Sequence, residues 1–226
     1  MSKPRNPLIV AADLSDAPAA EALAGRLVGS VAMLKVGLEL FTAAGPEVVA
    51  RVRAHLPVFL DLKLHDIPST VERAARNAGR LGAAMLTVHA LGGPTMVRAA
   101  REGSAAGAAD AGVQAPAIVA VTVLSSMAGE ELASPSSLAF EAVAAGARGV
   151  VVSGKDVQEV REVLGDKPLV VVPGIRPAGQ PSNDHVRVLT PAEALELGAD
   201  YLVLGRPVTE APDPAEAARA ILRSLE

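Results

Sequence analysis

Cysteine and tryptophan are absent from this 226-residue sequence, and aromatic residues make up only 2% of it. Without cysteine, the chain can form no disulfide bond, thiolate metal site or cysteine nucleophile. The scarcity of aromatic side chains removes the stacking platforms that single-stranded nucleic acids usually need. The formal net charge of −4 also argues against a general nucleic-acid surface. We therefore expect no nucleic-acid partner.

Long apolar runs are missing as well. No stretch approaches the roughly 18 uninterrupted apolar residues of a membrane span. The polar residues 1–7 are followed by a short apolar run, Leu8–Ala12, which is shorter than the core of a signal peptide. We expect a soluble, cytoplasmic protein with no membrane partner. Because no linker or change of composition interrupts the chain, we also expect one domain over residues 1–226.

Short β-branched segments alternate with segments of helical spacing along the whole chain. This alternation predicts an α/β fold, a (β/α)8 TIM barrel with a parallel eight-stranded sheet ringed by helices. An open doubly wound sheet is the alternative, but no Gly-x-Gly-x-x-Gly follows the first strand. Residues 106–115 are expected to form a loop. The predicted strands are Leu8–Ala12, Met33–Gly37, Val58–Lys63, Met85–His89, Ala117–Leu124, Gly149–Ser153, Leu169–Val172 and Tyr201–Leu204.

Three charged residues gather at the end of the third predicted strand, within residues 59–70. Asp61 and Lys63 share one face of the strand because alternate side chains point the same way. Asp66 follows where the strand should give way to a loop, and Pro68 suits the first turn of a helix. Charges are seldom placed in a core unless they are paired or functional. This stretch is therefore the first candidate for the active site.

Other polar residues also fall at strand ends, where active sites of such barrels form. Asp13 follows strand one, and Lys35 lies in strand two. A structural ion-pair network is the alternative for Lys35, Asp61 and Lys63, but buried pairs often add little stability, so we favour function. Asp13 could equally cap the next helix. His89 is simpler to interpret as a core histidine and is not assigned.

A second candidate site follows strands seven and eight. Gly174 and Arg176 come after strand seven, and Gly205 and Arg206 after strand eight. In these barrels the corresponding loops commonly hold a phosphate. Glycine lets the backbone approach the anion, and arginine supplies a bidentate cation. The alternative is that the glycines only make turns and both arginines are solvated.

These residues together resemble the orotidine 5′-phosphate decarboxylase family. The signature is Asp61-x-Lys63-x-x-Asp66-Ile67-Pro68-x-Thr70, and the similarity extends along nearly the whole chain. It implies conversion of orotidine 5′-monophosphate to uridine 5′-monophosphate and CO2, the last step of de novo synthesis of the latter, without metal or cofactor. Further segments that carry the resemblance are Val10–Asp13, Leu34–Gly37, Val121–Met127, Pro173–Pro177 and Gly205–Thr209.

Magnesium-dependent sugar-phosphate decarboxylases and aldol synthases of the same superfamily are the alternative, since they share the Asp-x-Lys-x-x-Asp pattern. They have a glutamate at the end of strand two, which binds Mg²⁺ together with the first aspartate of the motif. Here Lys35 stands at that place, and its charge would repel a divalent cation. Lys35 therefore favours the metal-free decarboxylase.

The resemblance also implies a role for each matching residue. Lys63 would protonate C6 of the substrate, Asp61 would lie near its carboxylate, and Lys35 and Asp66 would complete the charge array. Ser125 replaces a threonine that often contacts the pyrimidine, and His185 stands where a closing loop often carries glutamine. Asp13 and Lys35 would bind the ribose, and Arg176, Gly205 and Arg206 the phosphate. In a homodimer, Asp66, Ile67 and Thr70 would serve the partner subunit's site.

Overall fold

Eight parallel strands close into a barrel in the computed structural model, which describes residues 4–123, 133–177 and 189–225. The order of the strands around the barrel follows the chain, and the last strand pairs with the first. The predicted TIM barrel is thus confirmed. The strands are β1 Leu8–Ala12, β2 Met33–Gly37, β3 Val58–Leu64, β4 Met85–His89, β5 Ala117–Val121, β6 Gly149–Val151, β7 Leu169–Pro173 and β8 Tyr201–Leu204.

Helices follow the strands and cover the outside of the barrel. No helix in the described ranges is long and apolar enough to cross a membrane. Short 3₁₀ turns lie at Ala90–Gly92 and Gly154–Asp156. The α-helices of the described residues are α1 Ala17–Leu27, α2 Leu38–Ala44, α3 Glu47–Arg53, α4 Pro68–Arg80, α5 Gly93–Ala111, α6 Pro135–Ala144, α7 Val157–Leu164, α8 Pro191–Glu196, α9 Arg206–Thr209 and α10 Pro214–Arg223.

The expected loop over residues 106–115 is wrong for its first half, because α5 continues to Ala111. Glycine lowers intrinsic helix propensity, so the Gly- and Ala-rich sequence disfavours this helix locally. Packing against α4 explains the outcome. A Cβ atom on Gly103 or Gly107 would collide with the carbonyl oxygen of Glu72 or Arg76. The missing side chains let the two helix backbones approach closely, which the sequence pattern alone does not reveal.

The alternation of side chains along the strands divides the core into two layers. Outward-facing residues such as Leu8 and Val10 pack with the helices, whereas Ile9 and Phe59 belong to a smaller cluster inside the barrel. Phe59 is 1% exposed and lies two residues before Asp61 on β3. Asp61 lies on the same inward face as Phe59, because alternate residues of a strand share a face. The Asp61 carboxylate is therefore at the carboxyl end of the barrel, next to its apolar interior.

Candidate active site

Asp61 and Lys63 form a close ion pair at the carboxyl end of β3. The Nζ atom of Lys63 lies 2.8 Å from Oδ2 of Asp61. Asp61 is 8% exposed, whereas the side chain of Lys63 is 32% exposed. The Asp61 carboxylate is therefore buried at the carboxyl end of the barrel, and the Lys63 ammonium group beside it is partly open to solvent.

The backbone of Lys63 is in an unusual conformation. Among the non-glycine residues that the structure describes, only Lys63 has a positive φ, of 49°. The pairing of β3 with β4 is interrupted at this place, between Leu60 and Leu64. A left-handed conformation costs a residue with a side chain roughly 1–2 kcal/mol. Such local strain is often found at functional sites.

Thr87 of β4 holds both members of the ion pair. Its Oγ1 accepts a hydrogen bond from the backbone N–H of Lys63 at 2.8 Å and donates one to Oδ1 of Asp61 at 2.9 Å. Thr87 is fully buried. We did not assign it from sequence, although one signal was present. Thr87 shares a face of β4 with Met85, which belongs to the inner cluster, so its hydroxyl had to lie inside the barrel.

Lys35 of β2 joins two carboxylates. Its Nζ lies 3.5 Å from Oδ2 of Asp61 and 3.5 Å from Oδ1 of Asp13. The Lys35 side chain is 14% exposed, and the Asp13 side chain is 66% exposed. The cap of α1 is provided by Asp16, which accepts a hydrogen bond from the N–H of Ala19, so Asp13 is not needed for that purpose. Asp13, Lys35, Asp61 and Lys63 thus form an array of alternating charge.

The surroundings of Asp61 keep it ionised. Burial alone would raise the pKa of this carboxyl group. The charge of Lys35, the hydrogen bond and charge of Lys63, and the hydrogen bond from Thr87 outweigh burial and lower the pKa below its usual value. Asp61 therefore carries a full negative charge at neutral pH, between two ammonium groups.

Asp66, Ile67 and Thr70 lie apart from this array within one chain. Asp66 is exposed and accepts a hydrogen bond from the N–H of Ile67 at 2.6 Å, and no ion pair of Asp66 occurs among the described residues. The side chain of Ile67 is 64% exposed. Thr70 is half-buried in the first turn of α4. The structure thus brings four of the predicted charges together and leaves Asp66 outside.

A cavity of about 200 Å³ opens beside the charge array. Three charged side chains form one part of its wall, and most of the remainder is apolar. A mostly apolar pocket with a few convergent polar groups is the usual form of a small-molecule site. The lining residues are Lys35, Phe59, Asp61, Lys63, Val121, Val123, Val151, Val152, Ser153, Pro173 and Val203.

The rings of two histidines stack close to the charge array of Asp13, Lys35, Asp61 and Lys63. The rings of His65 and His89 are 5.1 Å apart and inclined by 21°. His89 is 8% exposed, and its Nδ1 has no hydrogen-bond partner in the described part of the chain. Burial, His65 and Lys63 all lower the pKa of His89. The side chain of His65 is thus turned toward the end of β4.

The two glycine-arginine segments lie on one rim of the barrel, because β7 and β8 are neighbours with Pro173 opposite Val203. Gly174 has a φ of +75°, a conformation that favours glycine. A Cβ atom on Gly205 would lie 3.8 Å from Oδ2 of Asp13, so this rim adjoins the charge array. Arg176 is half-buried and Arg206 is exposed at the start of α9. Ser125 and His185 lie outside the described residues.

Comparison with known proteins gives this site a context. The model of the orotidine 5′-phosphate decarboxylase / HUMPS family matches residues 6–221. An orotidine 5′-phosphate decarboxylase of Anaeromyxobacter sp. (strain K) is 50% identical and aligns over 99% of this chain and 100% of its own. The enzyme of the same name from Moorella thermoacetica is 47% identical over 98% of this chain and 93% of its own.

The fold has a similar relative among solved structures. The crystal structure of orotidine 5′-phosphate decarboxylase from Lactobacillus acidophilus superposes with a TM-score of 0.83. The two chains are 38% identical, and the superposition covers 98% of this chain and 99% of that chain. The similarity thus holds over the whole barrel, and not only at the charged motif.

Proposed function

Because the chain belongs to the orotidine 5′-phosphate decarboxylase / HUMPS family, we propose that it converts orotidine 5′-monophosphate to uridine 5′-monophosphate and CO2, with Lys63 as the proton donor. The relatives that are about half identical over nearly the whole chain bear the decarboxylase name. The observation that carries the mechanism is the Lys63–Asp61 ion pair in the wall of an otherwise largely apolar cavity.

The difficulty of the reaction is electronic. When the bond between C6 and the carboxyl carbon breaks, its electron pair stays on C6 in the plane of the ring and cannot delocalise into the π system. Stabilisation must then come from fixed charges near C6. The Lys63 ammonium group supplies such a charge, and it transfers a proton to C6 as CO2 leaves. The exposed fraction of the Lys63 side chain allows it to reach a substrate in the cavity.

Asp61 contributes a negative charge that acts on both Lys63 and the substrate. Its carboxylate keeps Lys63 in place at 2.8 Å and stabilises the ammonium form. It would also lie near the carboxylate of the bound substrate, so that the two negative charges repel each other before CO2 is lost. Loss of CO2 removes this repulsion, and the interaction therefore favours the transition state over the bound substrate.

Lys35 favours this function over that of the magnesium-dependent members of the superfamily. A divalent cation held by Asp61 and a neighbouring carboxylate would need the space beside Oδ2 of Asp61. The Nζ atom of Lys35 lies 3.5 Å from that oxygen and 3.5 Å from Asp13. A fixed ammonium group at this point repels a metal ion and takes over its electrostatic role. Lys35 and Asp13 would then bind the ribose hydroxyls.

The rim formed after β7 and β8 would hold the phosphate. Gly205 adjoins Asp13, so a nucleotide whose ribose contacts Asp13 would place its phosphate beside Gly205, Arg176 and Arg206. Arginine suits this task because its planar fork binds two phosphate oxygens at once. Binding energy from the phosphate, which lies far from C6, can be used to hold the base against Lys63.

We also propose a homodimer in which each subunit completes the site of the other. The support is the exposed position of Asp66 and Ile67, which directly follow the catalytic strand but lie outside the array of their own chain. Thr70, which is half-buried in the first turn of α4, follows them along the chain. A second barrel with two-fold symmetry would receive these side chains and offer its own in return.

The direct experiment is a spectrophotometric assay of the purified protein with orotidine 5′-monophosphate, with chromatographic detection of the product. The expected result is loss of orotidylate absorbance with equimolar formation of uridine 5′-monophosphate. Tight binding of uridine 5′-monophosphate without any turnover would instead indicate a nucleotide-binding barrel. Turnover of a sugar phosphate in place of the nucleotide would assign the chain to the other branch of the superfamily.

A further inference from the structure

We infer that Thr87 is a positioning residue of this reaction, which sets the orientation of both Asp61 and Lys63 from behind the cavity; the inference rests on the function proposed above. Thr87 has no exposed surface, so it does not touch the substrate. Its hydroxyl group nevertheless bonds to both members of the ion pair. Its effect must therefore pass through Asp61 and Lys63.

The direction of these hydrogen bonds is determined by chemistry. A threonine hydroxyl has one proton to donate and lone pairs to accept with. The backbone N–H of Lys63 can only donate, so at 2.8 Å Thr87 must accept. The single hydroxyl proton of Thr87 is then available for Oδ1 of Asp61 at 2.9 Å. One buried group thus links the backbone of the proton donor to the carboxylate that holds it.

This link divides the two oxygens of Asp61 between different partners. Oδ1 is bound by Thr87, while Oδ2 faces the ammonium groups of Lys35 and Lys63 at 3.5 and 2.8 Å. Without the hydroxyl group, Oδ1 would be a buried charged oxygen lacking its donor. The carboxylate would then turn to share both oxygens with the ammonium groups. The Lys63 ammonium would be drawn away from the position at which it meets C6.

The same hydroxyl group supports the strained backbone of Lys63. Its φ of 49° coincides with the break in pairing between β3 and β4 from Leu60 to Leu64. At this break the backbone N–H of Lys63 donates to the Thr87 side chain. Replacing Thr87 by an apolar residue would leave this N–H without an acceptor and remove one reason for the left-handed conformation.

The test compares Thr87→Val, which removes the hydroxyl group at nearly constant volume, with Thr87→Ser, which keeps it. A matched control is Ser104→Ala, because Ser104 is also buried, at 1% exposure, and its Oγ donates to the carbonyl of Arg101 on α5, outside the cavity lining. We expect Thr87→Val to lower kcat about 10- to 100-fold, the effect of losing a hydrogen bond to a charged group. KM and the Kd of uridine 5′-monophosphate should change by less than about threefold, because phosphate and ribose contacts remain.

Thr87→Ser should retain kcat within about threefold, and Ser104→Ala should lose stability while largely keeping kcat. The inference is overturned if Thr87→Val keeps the kcat of the wild type, or if its kcat falls no more than that of Ser104→Ala. It is likewise overturned if Thr87→Ser is as impaired as Thr87→Val, because the hydroxyl group would then not be the cause.

A crystal structure of Thr87→Val gives an answer that does not depend on activity. The expected result is a longer distance between Nζ of Lys63 and Oδ2 of Asp61, or a φ of Lys63 that leaves the left-handed region. An unchanged Lys63–Asp61 geometry would overturn the role of Thr87. If the wild type fails to decarboxylate orotidine 5′-monophosphate, the proposed function falls, and this structural comparison still decides whether Thr87 positions the pair.

Discussion

The ammonium group of Lys63 and the carboxylate of Asp61 lie 2.8 Å apart although Lys63 adopts a φ of 49°. Two residues that alternate along a strand share a face, so a regular strand already brings them near each other. The left-handed turn at Lys63 adds a change of direction at the end of the strand. The pair is therefore held by the buried Asp61, while the ammonium group faces the cavity.

Replacing Lys63 by alanine should nearly abolish turnover without abolishing product binding. The variant lacks the proton donor, and general acid catalysis typically contributes about 10²–10⁴-fold to a rate. Uridine 5′-monophosphate should still bind, because its phosphate would be held by Arg176, Gly205 and Arg206 and not by Lys63. Steady-state kinetics and calorimetric titration with the product measure the two effects. Lys167→Ala, which removes an exposed lysine, is the control, and near-normal turnover by Lys63→Ala would contradict the mechanism.

Mixing two inactive variants should restore activity if subunits share their sites. Asp66→Asn and Lys63→Ala chains, each inactive alone, form heterodimers in which one of the two sites is intact. After complete exchange, about a quarter of wild-type activity is expected, since half of the dimers are mixed and each has one good site.

The control for this experiment uses two residues of the same barrel. Mixing Asp61→Asn with Lys63→Ala should restore nothing, because both sites of the heterodimer then carry a defect. Exchange itself is followed with chains of different mass. Failure of the Asp66→Asn mixture to recover activity, despite proven exchange, would show that Asp66 does not act across the dimer.

His89 should remain neutral to a lower pH than an ordinary histidine. Burial and the nearby His65 and Lys63 lower its pKa below 6.5. Because the folded state resists a proton that the unfolded state accepts, the free energy of unfolding should decrease as the pH falls below 6.5. An NMR titration, with the His89 signal assigned by its loss in His89→Gln, measures the pKa directly. A midpoint at or above 6.5 would contradict this account of the stacked histidines.

The opposite end of the barrel offers a stability test that leaves the chemistry intact. Arg161 is 2.7 Å from Asp200 and also donates to the carbonyl oxygens of Gly198 and Gly165. Both charged side chains are largely buried, at 14% and 11% exposure. Arg161→Met would leave Asp200 without its counter-ion and should destabilise the fold by about 3–5 kcal/mol.

Denaturant unfolding measures this loss, and an exposed ion pair provides the comparison. Arg223 lies 2.7 Å from Glu216, and both side chains are more than half exposed. Arg223→Met should destabilise the fold much less than Arg161→Met, because solvent screens the exposed pair. At a temperature where Arg161→Met is still folded, its KM should match that of the wild type. Equal destabilisation by the two variants would show that burial does not strengthen the Arg161 pair.

Much of this architecture could be predicted from sequence because it depends on local patterns. Strand and helix periods alternate eight times, which indicates the barrel, and the two-residue spacing of Asp61 and Lys63 places them on one face. The left-handed backbone of Lys63 could not be predicted, because it depends on where β3 and β4 lose their register. Thr87 was missed for a related reason, since its partners lie 24 and 26 residues away along the chain.

Helix α5 is another element whose extent could not be predicted from local sequence patterns. Its glycines disfavour a helix when only propensity is considered, but Gly103 and Gly107 allow the backbone of α4 to come close. The gain from this packing is a tertiary effect that no local window contains. The position of Asp66 also lies beyond a local pattern, because a single chain shows only that it is exposed.

The central claim is that fixed protein charges, and not a metal ion, support decarboxylation at the Lys63–Asp61 pair. The most direct measurement is the rate of orotidylate absorbance loss by protein treated with EDTA and assayed in metal-free buffer. The account predicts the same rate before and after chelation, and no increase on addition of Mg²⁺. Loss of activity on chelation, restored by Mg²⁺, would contradict it and show that Lys35 does not replace a metal.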